Sequence, residues 1–289
     1  MTTHHLKLPQ LKSLWMLVAA VGFAVMGALV KIGAQKFTSM ELVFYRSFFG
    51  FSIILGTIIL RKSNLRSPVL GKQISRAIVG FFALVLFFYA IKHLPLATAI
   101  TLNYTSAIFL GLLTPLFLHE KPHKIIFIAL ILGFFGIVLL LKPSLSGQDL
   151  FAMGVGLLSG LGAAFAYMLV KQLGQFHEPD WRTVFYFTLI SSLLAGGWAL
   201  VTGMQTLAWQ DLPILLGIGI SATISQLAMT RAYRTGDTLI VACLAYFTVI
   251  FASMIGVIFW QEHLDMQSGI AIVLIMISGI LSAQSTAKN

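Results

Sequence analysis

The sequence predicts an all-α integral membrane protein of ten transmembrane helices, arranged as two inverted five-helix repeats. Three observations predict it. The 289 residues are 58% hydrophobic and 10% charged, against roughly 25% charged in a soluble domain. Ten apolar runs approach or exceed the roughly 20 residues that a helix needs to span hydrocarbon. Motifs recur at one spacing: Ala90 and Ala232, Lys92 and Arg234, Leu102 and Leu244, Tyr104 and Tyr246, and Glu120 and Glu262 are each 142 residues apart. A chain of mean hydropathy +0.93 cannot coat itself for water, so its solvent is lipid.

The runs fall at about 13–33, 40–60, 73–92, 97–118, 124–142, 150–171, 183–202, 211–233, 238–260 and 266–284. They read as helices. Lipid offers an open strand edge no partner, and the runs are too uniformly apolar for barrel strands. The first, from Leu14, is long enough to span and lacks a clear small-residue cleavage site, so it reads as a span rather than a cleaved leader. The third and fourth are parted at Lys92-His93-Leu94-Pro95, and the fourth stops at His119-Glu120-Lys121-Pro122. Pro115 is the expected kink of the fourth. Gly133 and Gly136 in the fifth, and Gly156, Gly160 and Gly162 in the sixth, allow close helix approach.

A Ser/Gly break at Ser144–Gly147 divides the chain into 1–143 and 148–289. Leu29-Val30-Lys31 returns as Leu169-Val170-Lys171, and Val43-Phe44-Tyr45 as Val184-Phe185-Tyr186. Five is an odd number, so the second copy enters the membrane from the opposite side. Inverted repeats are mostly a transporter device.

The net charge of +10 does not imply nucleic acid, because the basic residues sit in short loops between apolar runs. With both termini inside, fourteen of the 19 Lys and Arg lie on the cytoplasmic side and four outside, with Arg46 inside a helix. That bias sets the orientation. The lone Cys243 excludes a disulfide framework or a cysteine metal site within one chain. No Walker A motif, metalloprotease motif or nucleophile elbow is present, so ATP as driver and intramembrane hydrolysis are unsupported. No metal or cofactor is expected.

The motifs Glu41-Leu-Val-Phe-Tyr-Arg46-Ser-Phe-Phe-Gly50, Tyr89-Ala90 before Pro95-Leu96-Ala97-Thr98-Ala99, and Gly133-Phe-Phe-Gly136 with Glu120 carry a family resemblance. So do Ala232-Tyr233, Gly236-Asp237 and Glu262. Together they resemble the drug/metabolite transporter superfamily, and within it the EamA-type members with two five-helix repeats. Phe187 stands where the second copy of Arg46 would be, so the site need not be symmetric. The resemblance implies an alternating-access carrier in the bacterial inner membrane, similar to amino-acid and metabolite exporters, the aromatic amino-acid branch included. It implies a small-molecule substrate in a lipid bilayer, no enzyme activity, and a monomer or weak homodimer. Uptake or exchange of a nucleoside-like metabolite such as S-adenosylmethionine, and a membrane receptor that does not transport, are the alternatives.

Polar groups inside a membrane are costly and face partners or a cavity. Thr98, Thr101 and Thr105 share one face of the fourth helix, with Asn103 and Tyr104 beside them. Tyr104 and Tyr246 are repeat mates in mid-helix. Tyr89, Thr101, Asn103, Tyr104, Tyr167, Gln226 and Tyr246 are the expected substrate ligands, in a cavity near the midplane with aromatic and methionine walls. Arg46 is the expected anion clamp, or half of a gate ion pair with Glu41; the bland alternative is snorkelling to the outer face. Lys31 and Lys171, which match between the repeats, are further candidates for gate or clamp; both also suit a helix C-terminus. All nine acids and seven histidines fall at or near helix ends. No buried carboxylate is available to shuttle protons, so facilitated diffusion or exchange is the expected mechanism.

Overall fold

The computed structural model describes residues 12–94, 96–117, 124–142, 149–261 and 265–285. Described residues form twelve α-helices, one 3-10 turn at Trp209–Asp211, and no strand. The first half holds α1 (Trp15–Gly33), α2 (Ser39–Leu60), α3 (Leu70–His93), α4 (Leu96–Tyr104), α5 (Ser106–Phe117) and α6 (Lys124–Leu141). The second holds α7 (Leu150–Gln175), α8 (Asp180–Thr202), α9 (Leu212–Thr235), α10 (Thr238–Ala245), α11 (Phe247–Trp260) and α12 (Met266–Ser285). Among them are nine stretches long and apolar enough to cross a membrane, and a shorter apolar helix over Met266–Ser282. The last is the tenth span. With ten crossings, Ser13 and Ser285 lie at one end of the bundle, here called the base.

The twelve helices make ten spans because two are broken. The fourth span divides at Thr105 into α4 and α5, and the ninth at Tyr246 into α10 and α11. Each break is closed by a tighter i→i−3 bond: Thr105 N–H to Leu102 O, 3.2 Å, and Tyr246 N–H to Cys243 O, 3.2 Å. At the first break Thr105 Oγ1 also donates to Leu102 O, the side-chain competition for backbone acceptors that bends helices. Gly160 of α7 makes room there, since a Cβ would lie 2.9 Å from Leu102 O. This corrects the expected kink. Pro115 stays inside α5, near its end.

The packing obeys the repeat. α1 lies chiefly on α9 and α3 chiefly on α7, which are symmetry-equivalent pairings; α2 lies on α8 and α6 on α12, each a helix against its own repeat mate. The repeats interlock rather than stand side by side. Small residues set the distances. A Cβ on Gly162 would lie 3.0 Å from Ala83 Cβ, and one on Gly133 would lie 2.5 Å from both Tyr246 Cδ2 and Ser278 Oγ. Outward faces are apolar: Leu60, Val201, Ile258 and Leu200 are exposed, as lipid requires. Trp15, Trp181, Trp198, Trp209 and Trp260 all lie at or within about a turn of helix ends, where an aromatic belt forms.

The ends are capped by sequence-local chemistry. Thr38 and Glu41 form a capping box on α2, and Asp149 and Asp237 accept N–H bonds at the starts of α7 and α10. Asp265 accepts from Lys142 and from Ser268 N–H and Oγ. Those bonds, Lys142 first, hold its carboxyl well below its ordinary range. The Ser144–Gly147 break, Pro95, His119, Glu120, Pro122, Glu262 and His263 lie outside the described residues, as does the side chain of Lys92.

Gly133→Val should cost about 1–3 kcal/mol, the usual range for overpacking, because fully buried Tyr246 has nowhere to retreat. A fall in the melting temperature of the detergent-solubilised protein checks it; an unchanged melt would mean that α6 and α10 have slack.

Candidate functional site

Arg46 is the eighth residue of α2, counted from the end opposite the base. Arg76 is the seventh of α3, counted from the base. The two approach from opposite ends and converge on one ring. The guanidinium carbon of Arg76 is 4.1 Å from the Phe187 ring centroid, and that of Arg46 is 5.9 Å. The two carbons therefore lie within about 10 Å of each other. Gly80, one turn along α3, makes this possible. A Cβ there would lie 2.8 Å from Arg76 Nη1 and 3.3 Å from Phe187 Cε2.

Arg46 does not snorkel to the surface. Its Nη2 donates to Gln226 Oε1 at 3.4 Å. Nor does it pair with Glu41, whose carboxylate takes the Thr38 N–H and hydroxyl and the Gln205 N–H. Arg76 was expected among the loop charges of the cytoplasmic side; it is instead 3% exposed inside α3. Among the described residues neither arginine meets a carboxylate. Arg46 Nε, Arg76 Nε and Nη1, Gln226 Nε2, Ser47 Oγ and Ser191 Oγ are buried without a hydrogen-bond partner.

A small cavity opens among these groups, lined by Arg46, Ser47, Phe187, Thr188, Thr223 and Gln226. Its lining identifies where it lies. Arg46 and Phe187 are repeat mates, and so are Ser47 and Thr188, each 141 residues apart. A residue that sits beside its own symmetry mate must lie next to the pseudo-two-fold axis. Tyr104 and Tyr246 meet in the same way, with ring centroids 6.1 Å apart. Both helix breaks and the cavity therefore flank one axis between the repeats.

The energetics set the demand on this cavity. An isolated buried charge is costly, by several kcal/mol even after the protein relaxes. A desolvated cation–π contact returns about 2 kcal/mol. Phe187 alone does not balance two guanidiniums. The remaining polar demand is met by whatever fills the cavity.

The expected ligands distribute around this centre unequally. Gln226 lines the cavity. Tyr167 lies within electrostatic reach of both guanidiniums and stacks on Tyr233, centroids 4.8 Å apart. Tyr104 is half-buried at the fourth-span break, and Asn103 Nδ2 donates to Ser159 Oγ at 3.1 Å. Thr101 is buried on α4. Tyr246 is fully buried, its hydroxyl 3.4 Å from Leu130 O, so it packs the break rather than lining the cavity. Tyr89 stacks on His93 near the end opposite the base. Lys31 lies over the Trp260 ring at that same end, and Lys171 Nζ donates to Gly236 O at the base, 2.7 Å. The structure brings neither lysine to Arg46. Arg76 and Phe187 were missed because one resembled a loop cation and the other marked only a lost arginine.

The base is tied shut by a buried network. Glu178, 1% exposed, accepts from Ser67 Oγ at 2.7 Å, Gln73 Nε2 at 3.1 Å and Arg182 Nη1 at 2.9 Å. Arg182 also donates to Asn64 O, 2.8 Å, and Arg234 pairs with Asp180. The α2–α3 loop, the α7–α8 corner and the end of α9 are thus joined beneath the Tyr167–Tyr233 stack.

Two broken helices at a pseudo-two-fold axis, with a polar cavity between interlocked inverted repeats, define a secondary-transporter fold. The comparisons agree. Residues 10–142 and 150–284 match the EamA-like transporter family, and the chain belongs to it. It is 33% identical over 275 residues to the pseudopaline exporter CntI of Pseudomonas aeruginosa, covering 91% of this chain and 92% of that one. It is 32% identical to an uncharacterized transporter of Helicobacter pylori, covering 92% of each, and 27% identical to a riboflavin transporter of Vibrio cholerae, covering 81% and 78%. One crystal structure superposes with a TM-score of 0.83 at 16% identity, covering 96% of this chain and 99% of the other, which is likeness of fold.

Glu178→Ala leaves Arg182 and Gln73 without their shared acceptor, a loss of about 3 kcal/mol for a broken buried pair. It should loosen the base. In a Cys243→Ser background, a cysteine at buried Thr230 should react with a maleimide added at the base several times faster in the Glu178→Ala variant. Equal rates would show that the network does not hold this end closed.

Proposed function

We propose that this protein exports small acid-bearing organic metabolites across the bacterial inner membrane by alternating access, with the base and both termini facing the cytoplasm. One observation carries the reading: two buried guanidiniums without a protein carboxylate converge on a cavity at the repeat interface. Guanidinium forks match carboxylates. Phe187 and the Tyr167–Tyr233 pair supply the flat apolar area that an amphipathic solute needs. Amino acids, aromatic and neutral ones included, have the right parts. A relative that is an exporter supports the direction. The positive-inside bias supports the orientation.

Uptake of S-adenosylmethionine is the weaker reading. Its sulfonium is a cation and would face Arg46 and Arg76. A non-transporting receptor would leave the coupled breaks and the base network without a purpose. Translocation proceeds by facilitated diffusion or exchange, since the described acids lie at helix ends rather than beside the cavity.

Counterflow into proteoliposomes of the purified protein tests this, with a panel of labelled amino acids and other carboxylates. Saturable flux is expected, reduced roughly tenfold or more in Arg46→Ala, in line with the 2–5 kcal/mol lost when a buried charge pair is truncated. Flux that rises linearly with concentration would indicate a channel. Absence of saturable flux for every carboxylate would end the proposal.

A further inference from the structure

We infer that the preferred cargo carries two ionised acid groups, one for each of Arg46 and Arg76. The inference rests on the transporter reading and specifies its substrate class. A single carboxylate would neutralise one guanidinium and leave the other buried and unpaired. That residual charge is the expensive state in a low-dielectric site. The protein provides no second anion: among the described residues, no Asp or Glu pairs with either arginine, and Glu41 is committed to Thr38 and Gln205.

The geometry fits two acids on one short scaffold rather than one acid between two cations. Arg46 descends from α2 and Arg76 rises from α3, on either side of the axis, and both retain unpartnered nitrogens. Phe187 lies between their reach and can take the apolar part of the solute. Ser47 Oγ and Gln226 Nε2, also unpartnered, are a hydroxyl and an amide donor for remaining acid oxygens. A zwitterion is the poorer match. Its ammonium needs an acceptor, and the Gln226 Oε1 that could serve already accepts from Arg46.

The asymmetry of the repeats supports the same division of labour. Phe187 replaces the second copy of Arg46, yet a second guanidinium returns to the axis from Arg76, on a different helix. The site therefore keeps two cations separated around a ring, which a compact monoanion cannot bridge.

The test compares phenylalanine, which has one carboxylate, with N-carboxymethyl-phenylalanine, which keeps the side chain and adds a second. Each is measured in proteoliposomes by saturable counterflow and in detergent by thermal stabilisation. In the wild-type protein the diacid should half-saturate at a concentration roughly tenfold or more below that of phenylalanine. In Arg76→Gln the advantage should vanish, while phenylalanine flux persists; Arg76→Lys should restore part of it. If the variants fail to fold, the wild-type comparison alone decides. Equal half-saturation of the two solutes, or preference for phenylalanine, would overturn the inference and leave the transporter reading standing. No saturable flux and no stabilisation by either would overturn both.

Discussion

Two cations held out of water without a protein anion are the constraint around which this structure is arranged. Hydrocarbon cannot solvate a guanidinium, so everything near Arg46 and Arg76 must compensate. Phe187 offers its ring to both. Gly80 leaves the space through which Arg76 reaches that ring. Gln226 gives its carbonyl oxygen to Arg46. These contacts come from helices of both repeats, and they hold only because α2 packs on α8 and α3 on α7. The shortfall they leave is the chemical character of the site: it asks for negative charge from a solute.

Symmetry explains where this happens. An inverted repeat creates an axis, and residues at the axis face their own mates. A faithful repeat would place two arginines face to face there. Divergence at position 187 turned that repulsion into a cation–π contact. Tyr104 and Tyr246 kept their identity, and their rings meet at the helix breaks instead. The breaks matter because a continuous helix presents no free backbone and resists bending. A span in two halves can tilt one half against the other while keeping nearly all its hydrogen bonds, as buried irregular backbone in membranes allows.

The base and the opposite end are built differently. At the base, buried carboxylate and guanidinium groups cross-link the α2–α3 loop to the α7–α8 corner and Arg234 to Asp180. At the other end, Lys36–Asp211 and Lys142–Asp265 are exposed pairs, which contribute little. Closure at the base thus rests on contacts that are strong when made and costly when half-broken. That is the character of a two-state element rather than a permanent seal. Alternating access needs such a contact at each end in turn.

Much of this was legible in the sequence. Run length and composition determine helices, because lipid allows a spanning chain few other forms. The 142-residue spacing of Tyr104 and Tyr246 determines the inverted repeat, since five crossings reverse direction. Side-chain chemistry marked Arg46, Gln226 and Tyr167, because polar groups in an apolar run have few reasons to be there. The tertiary structure decided the rest. Lys31 and Lys171 match in the repeat, yet they lie at opposite ends of the bundle, as inversion dictates. Tyr246 shares its motif with Tyr104 but is wholly enclosed by α6 and α12. Arg76 sits one turn from a loop, and only the direction of its side chain, towards Phe187 and not towards water, separates a site residue from a topology signal. Periodicity and composition report which face of a helix a residue occupies. They do not report what another helix, over a hundred residues away, brings to meet it.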